Sequence, residues 1–227
     1  MLNRFLILFF TITALHATAQ DNATNRQLAA DQLQQLKNGG AIVVRLKTND
    51  KSVAAYRSNG RPEIADRIER ERAAQNKKIM AAFKGNFDYC KVYFIYAKNS
   101  AALVAGKTGL FLNDDLKEVD SIKMNVPFFV FAEYGDVTSN VRADEYHYDG
   151  VHHTEASGTP TSTSAIVISD TTFTQLKQPF PFYQNVMLEN YDKTVARLNN
   201  AFHKAYYHLV DVPRMKKETK KNKKSFQ

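Results

Sequence analysis

Tyr89–Ala97 reads Y-C-K-V-Y-F-I-Y-A and is the longest strand-like run that follows the N-terminal apolar segment. Apolar groups fall on both of its faces. Cys90, Val92, Phe94 and Tyr96 share one side; Tyr89, Tyr93, Ile95 and Ala97 share the other, with Lys91 breaking it. A strand that is apolar on both faces is covered on both, so the run predicts a central strand with helices above and below it. Cys90 is expected to be a small core residue, because a thiol in mid-strand packs more often than it reacts.

Upstream, Ala41–Leu46 (A-I-V-V-R-L) predicts a second strand. Pro62 opens a long helix expected to reach Lys84 and stop at Gly85. Ile64 and Ile68 mark one end of its stripe and Ile79, Ala82 and Phe83 the other, with Glu71, Arg72 and Gln75 on the same face between them. Such a helix is about 34 Å long, against about 20 Å for a six-residue strand. Part of it is therefore expected to overhang the sheet; the functional reading of the same residues is a buried polar cluster around Arg72.

Further elements follow the same rules. Asn25 is expected to cap a helix running to about Lys37, with Leu28, Leu33 and Leu36 on one side and Gly39-Gly40 ending it. Asp50 opens a short helix to about Arg57. Leu110–Leu112, Val126–Glu133 and Ser164–Ser169 are three more strands. Asp170 is expected to cap a short helix around Phe173 and Leu176. Tyr191, Val195, Leu198, Phe202, Ala205 and Leu209 form the apolar face of a last helix that Pro213 closes. The expected fold is α/β: a single domain with a mixed sheet of about five strands and helices packed on both faces.

The address is written at the start. Arg4, the apolar run Phe5–Ala14 and the small residues Ala17-Thr18-Ala19 form an export-signal pattern over 1–19, leaving Gln20 first. The domain is expected over 20–213, with a long polar connection at 135–163 and a basic tail at 214–227. One cysteine excludes an internal disulfide and C-x-x-C redox chemistry. The net charge of +8 is a property of the tail: 214–227 holds seven Lys and Arg against one Glu, whereas 20–213 holds 23 basic and 22 acidic residues. Lys216, Lys217, Lys220, Lys221, Lys223 and Lys224 are candidates for contact with an anionic envelope surface or polyanion. Without interleaved aromatics, sequence-specific nucleic acid binding is not expected.

Familiar catalytic patterns are missing. Ala101–Thr108 (A-A-L-V-A-G-K-T) only loosely fits a phosphate loop, and Lys107-Thr108-Gly109 has no S-x-x-K to supply a nucleophile. The histidine-rich stretch 144–155 offers His147, His152 and His153 among carboxylates as ligands for zinc or a similar divalent cation. The plain reading of that stretch is a polar hairpin turning at Asp149-Gly150.

The stretches A-I-V-V-R-L-K-T-N-D-K at 41–51, N-F-D-Y-C-K-V-Y-F at 86–94 and T-Q-L-K-Q-P-F-P-F-Y at 174–183 resemble a family of uncharacterised exported proteins of Bacteroidota. The resemblance implies export and a single domain, and assigns no site residue. The expected function is that of a non-enzymatic binding or structural module of the envelope. The alternative is a metal-assisted hydrolase using 144–155.

Overall fold

A computed structural model describes residues 23–138, 143–148, 151–156, 162–186 and 188–216, with side chains for 23–135, 164–186 and 188–216. Helix α1 (23–37) leads into β1 (Ala41–Leu46), followed by α2 (Asp50–Ser58), α3 (Pro62–Asn86) and β2 (Lys91–Tyr96). A 3-10 turn at Ala97–Asn99 enters α4 (Ser100–Val104), then β3 (Phe111–Leu112), β4 (Glu118–Val119) and β5 (Phe129–Thr138). The hairpin β6 (Ala143–Tyr148) and β7 (Val151–Ala156) precedes β8 (Ser162–Ser169), β9 (Tyr183–Asn185) and α5 (Tyr191–Tyr206).

Seven strands form one mixed sheet in the order β4-β3-β2-β1-β5-β8-β9, and β6-β7 is a separate two-stranded sheet. β1 pairs in parallel with both β2 and β5; every other pairing is antiparallel. The centre is therefore β1, whereas Tyr89–Ala97 supplies its neighbour. β1 has the smaller side chains and buries Ala41, Ile42, Val43, Val44 and Leu46 almost completely. In β2 only Phe94 and Ile95 are fully buried, and Lys91 faces solvent. The side assignments of Cys90, Val92, Phe94, Tyr96, Tyr93 and Ile95 hold. Tyr89 instead joins the Phe94 side, because it precedes the strand, and donates from its hydroxyl to the Leu33 carbonyl at 2.9 Å.

One face of the sheet carries most of the core. Leu33 and Leu36 of α1, Ile79, Met80 and Phe83 of α3, and Val195, Leu198 and Phe202 of α5 pack over Ile42, Val44, Val130 and Ile166. The other face has a five-residue cluster, Val43, Ile95, Leu103, Phe111 and Phe131, in which α4 contributes only Leu103. Gly40 is required where α1 meets β1, since a Cβ there would lie 2.8 Å from the Gln35 carbonyl oxygen and the Leu36 Cα.

Several expectations are corrected. The sheet has seven strands rather than about five, because β4 and β9 are two and three residues long and too short to alternate visibly. Leu28 is exposed, and α1 extends past Asn25, which therefore does not cap it. Asp170 caps a turn, not a helix: its Oδ1 accepts from the Thr172 and Thr174 amides at 2.9 Å each. Pro213 does not end the last helix. The chain widens into a π turn at Tyr207–Asp211 and continues helical to residue 216. A widened turn is where a helix can change its hydrogen-bond register ahead of a residue without an N–H.

Candidate binding site beyond the parallel strands

α3 has 25 residues, about 37 Å of helix. Asn76, 3% exposed, donates from Nδ2 to the Lys47 carbonyl at 2.9 Å, just past the end of β1. Residues 62–75 therefore overrun the sheet, as the length argument requires. This overhang packs on α2, where Arg57 bridges Asp66 at 3.1 Å and Glu69 at 2.8 Å.

The end of the strands is also a topological switch. The chain leaves β1 toward α2 and α3 on the thick side, and leaves β2 toward α4 on the thin side. Open α/β sheets bind ligands outside the carboxyl ends of parallel strands at such points. Between β1 and β2 the gap is bridged by Lys98 Nζ to Asp50 Oδ2 at 3.0 Å. That contact, foremost among the groups around it, holds the Asp50 carboxyl below its ordinary pKa.

On the α3 side a cavity of about 410 Å³ opens, lined by Asn49, Ile68, Glu71, Arg72, Ala74, Gln75, Lys78 and Glu189. Its back wall is a chain of polar contacts. Arg72 Nη1 donates to Gln75 Oε1, and Gln75 Nε2 donates to the Tyr191 hydroxyl at 2.7 Å. Tyr191 is 3% exposed and meets the Tyr134 ring edge-on at 5.5 Å. Burial pushes the Tyr191 phenol up, against the opposing pull of the Gln75 amide, so it stays a neutral hydroxyl. Arg72 Nε is sheltered from solvent and has no hydrogen-bond partner. Among the described residues, three of the five non-glycine residues with positive φ lie at or beside this cavity: Asn49 at 58°, Leu188 at 50° and Glu189 at 51°. Strained backbone of this kind concentrates at ligand clamps and switches.

A second polar cluster lies at the same end of the strands on the thin face. Arg45 and Glu133 are register partners across β1 and β5 and form an ion pair at 3.0 Å; Lys47 joins Glu133 at 3.2 Å. The Arg45 guanidinium sits over the rings of Phe131 and Phe173, 5.6 and 5.2 Å from their centroids. Among the described residues Arg45 Nε, like Arg72 Nε, is sheltered without a hydrogen-bond partner, but no cavity opens on it, and its other contacts tie two strands together.

The residues singled out from the sequence are divided among these places. Arg72 and Gln75 join Tyr191, 116 residues from Gln75, in a polar cluster that is half-buried at the two helix residues rather than buried, and Glu71 stands exposed at the cavity. No sequence signal links those two. Arg45 and Glu133 had a usable signal, opposite charges ending two apolar strands. Cys90 packs against the core and its thiol is pushed up to about 12 by burial. Ala101–Val104 is helical and not a phosphate-binding loop. In the hairpin, the backbone register pairs His147 with His152 and His153 with Tyr146, and residues 149–150 lie outside those described. The side chains of His147, His152 and His153 lie outside those described. Among the described residues, no group of three or more His, Cys, Asp and Glu could hold a metal ion, and no helix is long and apolar enough to cross a membrane. Lys216 is exposed, while Lys217, Lys220, Lys221, Lys223 and Lys224 lie outside the described residues.

No protein-family model matches the chain, and neither a curated protein nor a solved structure does.

Proposed function

We propose that this is an exported envelope protein that binds a small polar molecule in the cavity between α3 and Glu189, without turning it over. The observation that carries the reading is Arg72, held by Gln75, which Tyr191 anchors in turn, at the switch point of the parallel strands with its Nε unpartnered. A buried donor left unmade costs about 1–3 kcal/mol, a cost that persists most readily where a ligand rearranges the group. The lining offers donors from Arg72, Lys78, Asn49 and Gln75 and acceptors from Glu71 and Glu189. It suits a molecule with both kinds of polar group. No Ser, Cys or His lines the cavity, which favours binding over covalent chemistry. The export-signal pattern and the resemblance to exported proteins support the address.

Native mass spectrometry of protein exported by its own host tests this. Wild type should carry a small-molecule adduct that Arg72→Ala loses while keeping its fold. An adduct retained in both variants would refute the assignment.

The second reading, a metal-assisted hydrolase on 144–155, draws support from the register that sets His147 opposite His152 and Asp144 opposite Glu155. Stoichiometric zinc, lost when His147, His152 and His153 are replaced, would favour it over the first.

A further inference from the structure

Apart from the cavity, we propose that residues 207–216, with the lysine-rich sequence that follows, dock the protein on an anionic lipid bilayer. α5 buries Tyr191, Thr194, Val195, Leu198 and Phe202. The helical extension beyond it buries nothing fully: Leu209, Val210 and Val212 are half-buried, and Tyr207 and Met215 are 51% and 44% exposed. This is an apolar helical segment in contact with water, at the point where the charge of the chain changes. Arg214 and Lys216 are exposed. With Lys217, Lys220, Lys221, Lys223 and Lys224 they make seven cations against the two acids Asp211 and Glu218, on a body whose charges nearly cancel. Asp211 is paired with Arg214 at 3.3 Å, so those two charges offset each other and the field comes from the lysines.

The charge selects an anionic partner, and the apolar groups select among anions. A dissolved polyanion offers lysines a counter-charge but gives Tyr207 and Met215 no apolar phase. A bilayer interface offers both. Peripheral proteins hold stably to membranes when two such signals act together. The lysines set the distance dependence, since their attraction fades over a Debye length of about 8 Å at physiological salt.

The test uses the mature chain with vesicles of phosphatidylglycerol and phosphatidylcholine in equal parts, vesicles of phosphatidylcholine alone, and heparin. Wild type should bind the anionic vesicles at least ~10-fold more tightly than the neutral ones, and salt should reverse it. Tyr207→Ser with Met215→Ser should weaken vesicle binding about ten-fold while leaving heparin binding unchanged. Replacing Lys220, Lys221, Lys223 and Lys224 by Gln should weaken both. If the Ser pair melts early, Met215→Ser alone serves, because Met215 lies past the core. Equal binding to neutral and anionic vesicles overturns the proposal. So does a Ser variant that binds vesicles as wild type does, which would leave a contact between lysines and polyanion with no role for the apolar segment.

Discussion

On one face of the sheet, three helices bury Leu33, Phe83, Leu198 and Phe202 against β1, β5 and β8. On the other, five residues suffice, and the cover is a five-residue helix with the segments around it. The thick face has the packing to hold a long helix by half its length while the other half projects past the strands. The thin face tolerates a half-buried Arg45–Glu133 pair because little is stacked above it. The candidate cavity lies where the thick layer overruns the sheet, close to the core but outside it. A ligand site can be altered there without removing the contacts that stabilise the fold.

The sharpest way to break this contrast is a matched pair of truncations. Leu198→Ala on the thick face should cost about 4 kcal/mol, because Leu198 is fully buried among helices that cannot all collapse into the hole. Leu103→Ala on the thin face, at a 7% exposed site on a short helix, should cost about 2 kcal/mol or less. Urea midpoints read both, and equal losses would erase the distinction. An effect smaller than that of Leu198→Ala is expected where α3 leaves the sheet. Asn76→Ala strands the Lys47 carbonyl and should cost about 1–3 kcal/mol in the same assay.

The smallest effect belongs to the surface clasp that ties the start of β2 to α5. Asp88 Oδ1 lies 2.8 Å from His203 Nε2 and accepts from Asn199 Nδ2 at 2.8 Å. His203 foremost, then Asn199, holds the Asp88 carboxyl below its ordinary value of 3.8. A depressed carboxyl stabilises the fold above its unfolded pKa and loses that contribution as pH falls through the folded one. The contribution is therefore full at neutral pH and disappears below about pH 4. The pair is exposed, so His203→Ala should flatten the acid limb of thermal stability by under ~1 kcal/mol. A change at neutral to alkaline pH with an unaltered acid limb would contradict it.

Much of the thick face is legible in the sequence, because periodicity is a local signal. Leu33 and Leu36 in α1, and Val195, Leu198 and Phe202 in α5, stand at helical spacing and are all buried. The length of α3 against that of a strand was enough to require the overhang. Legibility fails where structure depends on distant partners. β1 is central because three strands lie on each side of it, which its six residues do not announce beside the more aromatic β2. Asp170 has the chemistry of a helix cap, and its carboxylate serves a turn closed by the bridge between Ser169 and Gln175. Of the site, Arg72 and Gln75 could be placed on one helical face. Tyr191 and Glu189 reach them only through the fold.

The central claim is that the α3 cavity binds a small polar molecule through Arg72 while the core beneath it sets the stability. A thermal-shift panel on wild type and Arg72→Ala tests it most directly, using amino acids, dipeptides, neutral sugars and small carboxylates. The two proteins should melt within a few degrees of each other without additive, and at least one class should raise the wild-type Tm while leaving Arg72→Ala unmoved. A compound that shifts both proteins equally, or a panel that shifts neither, would contradict the claim.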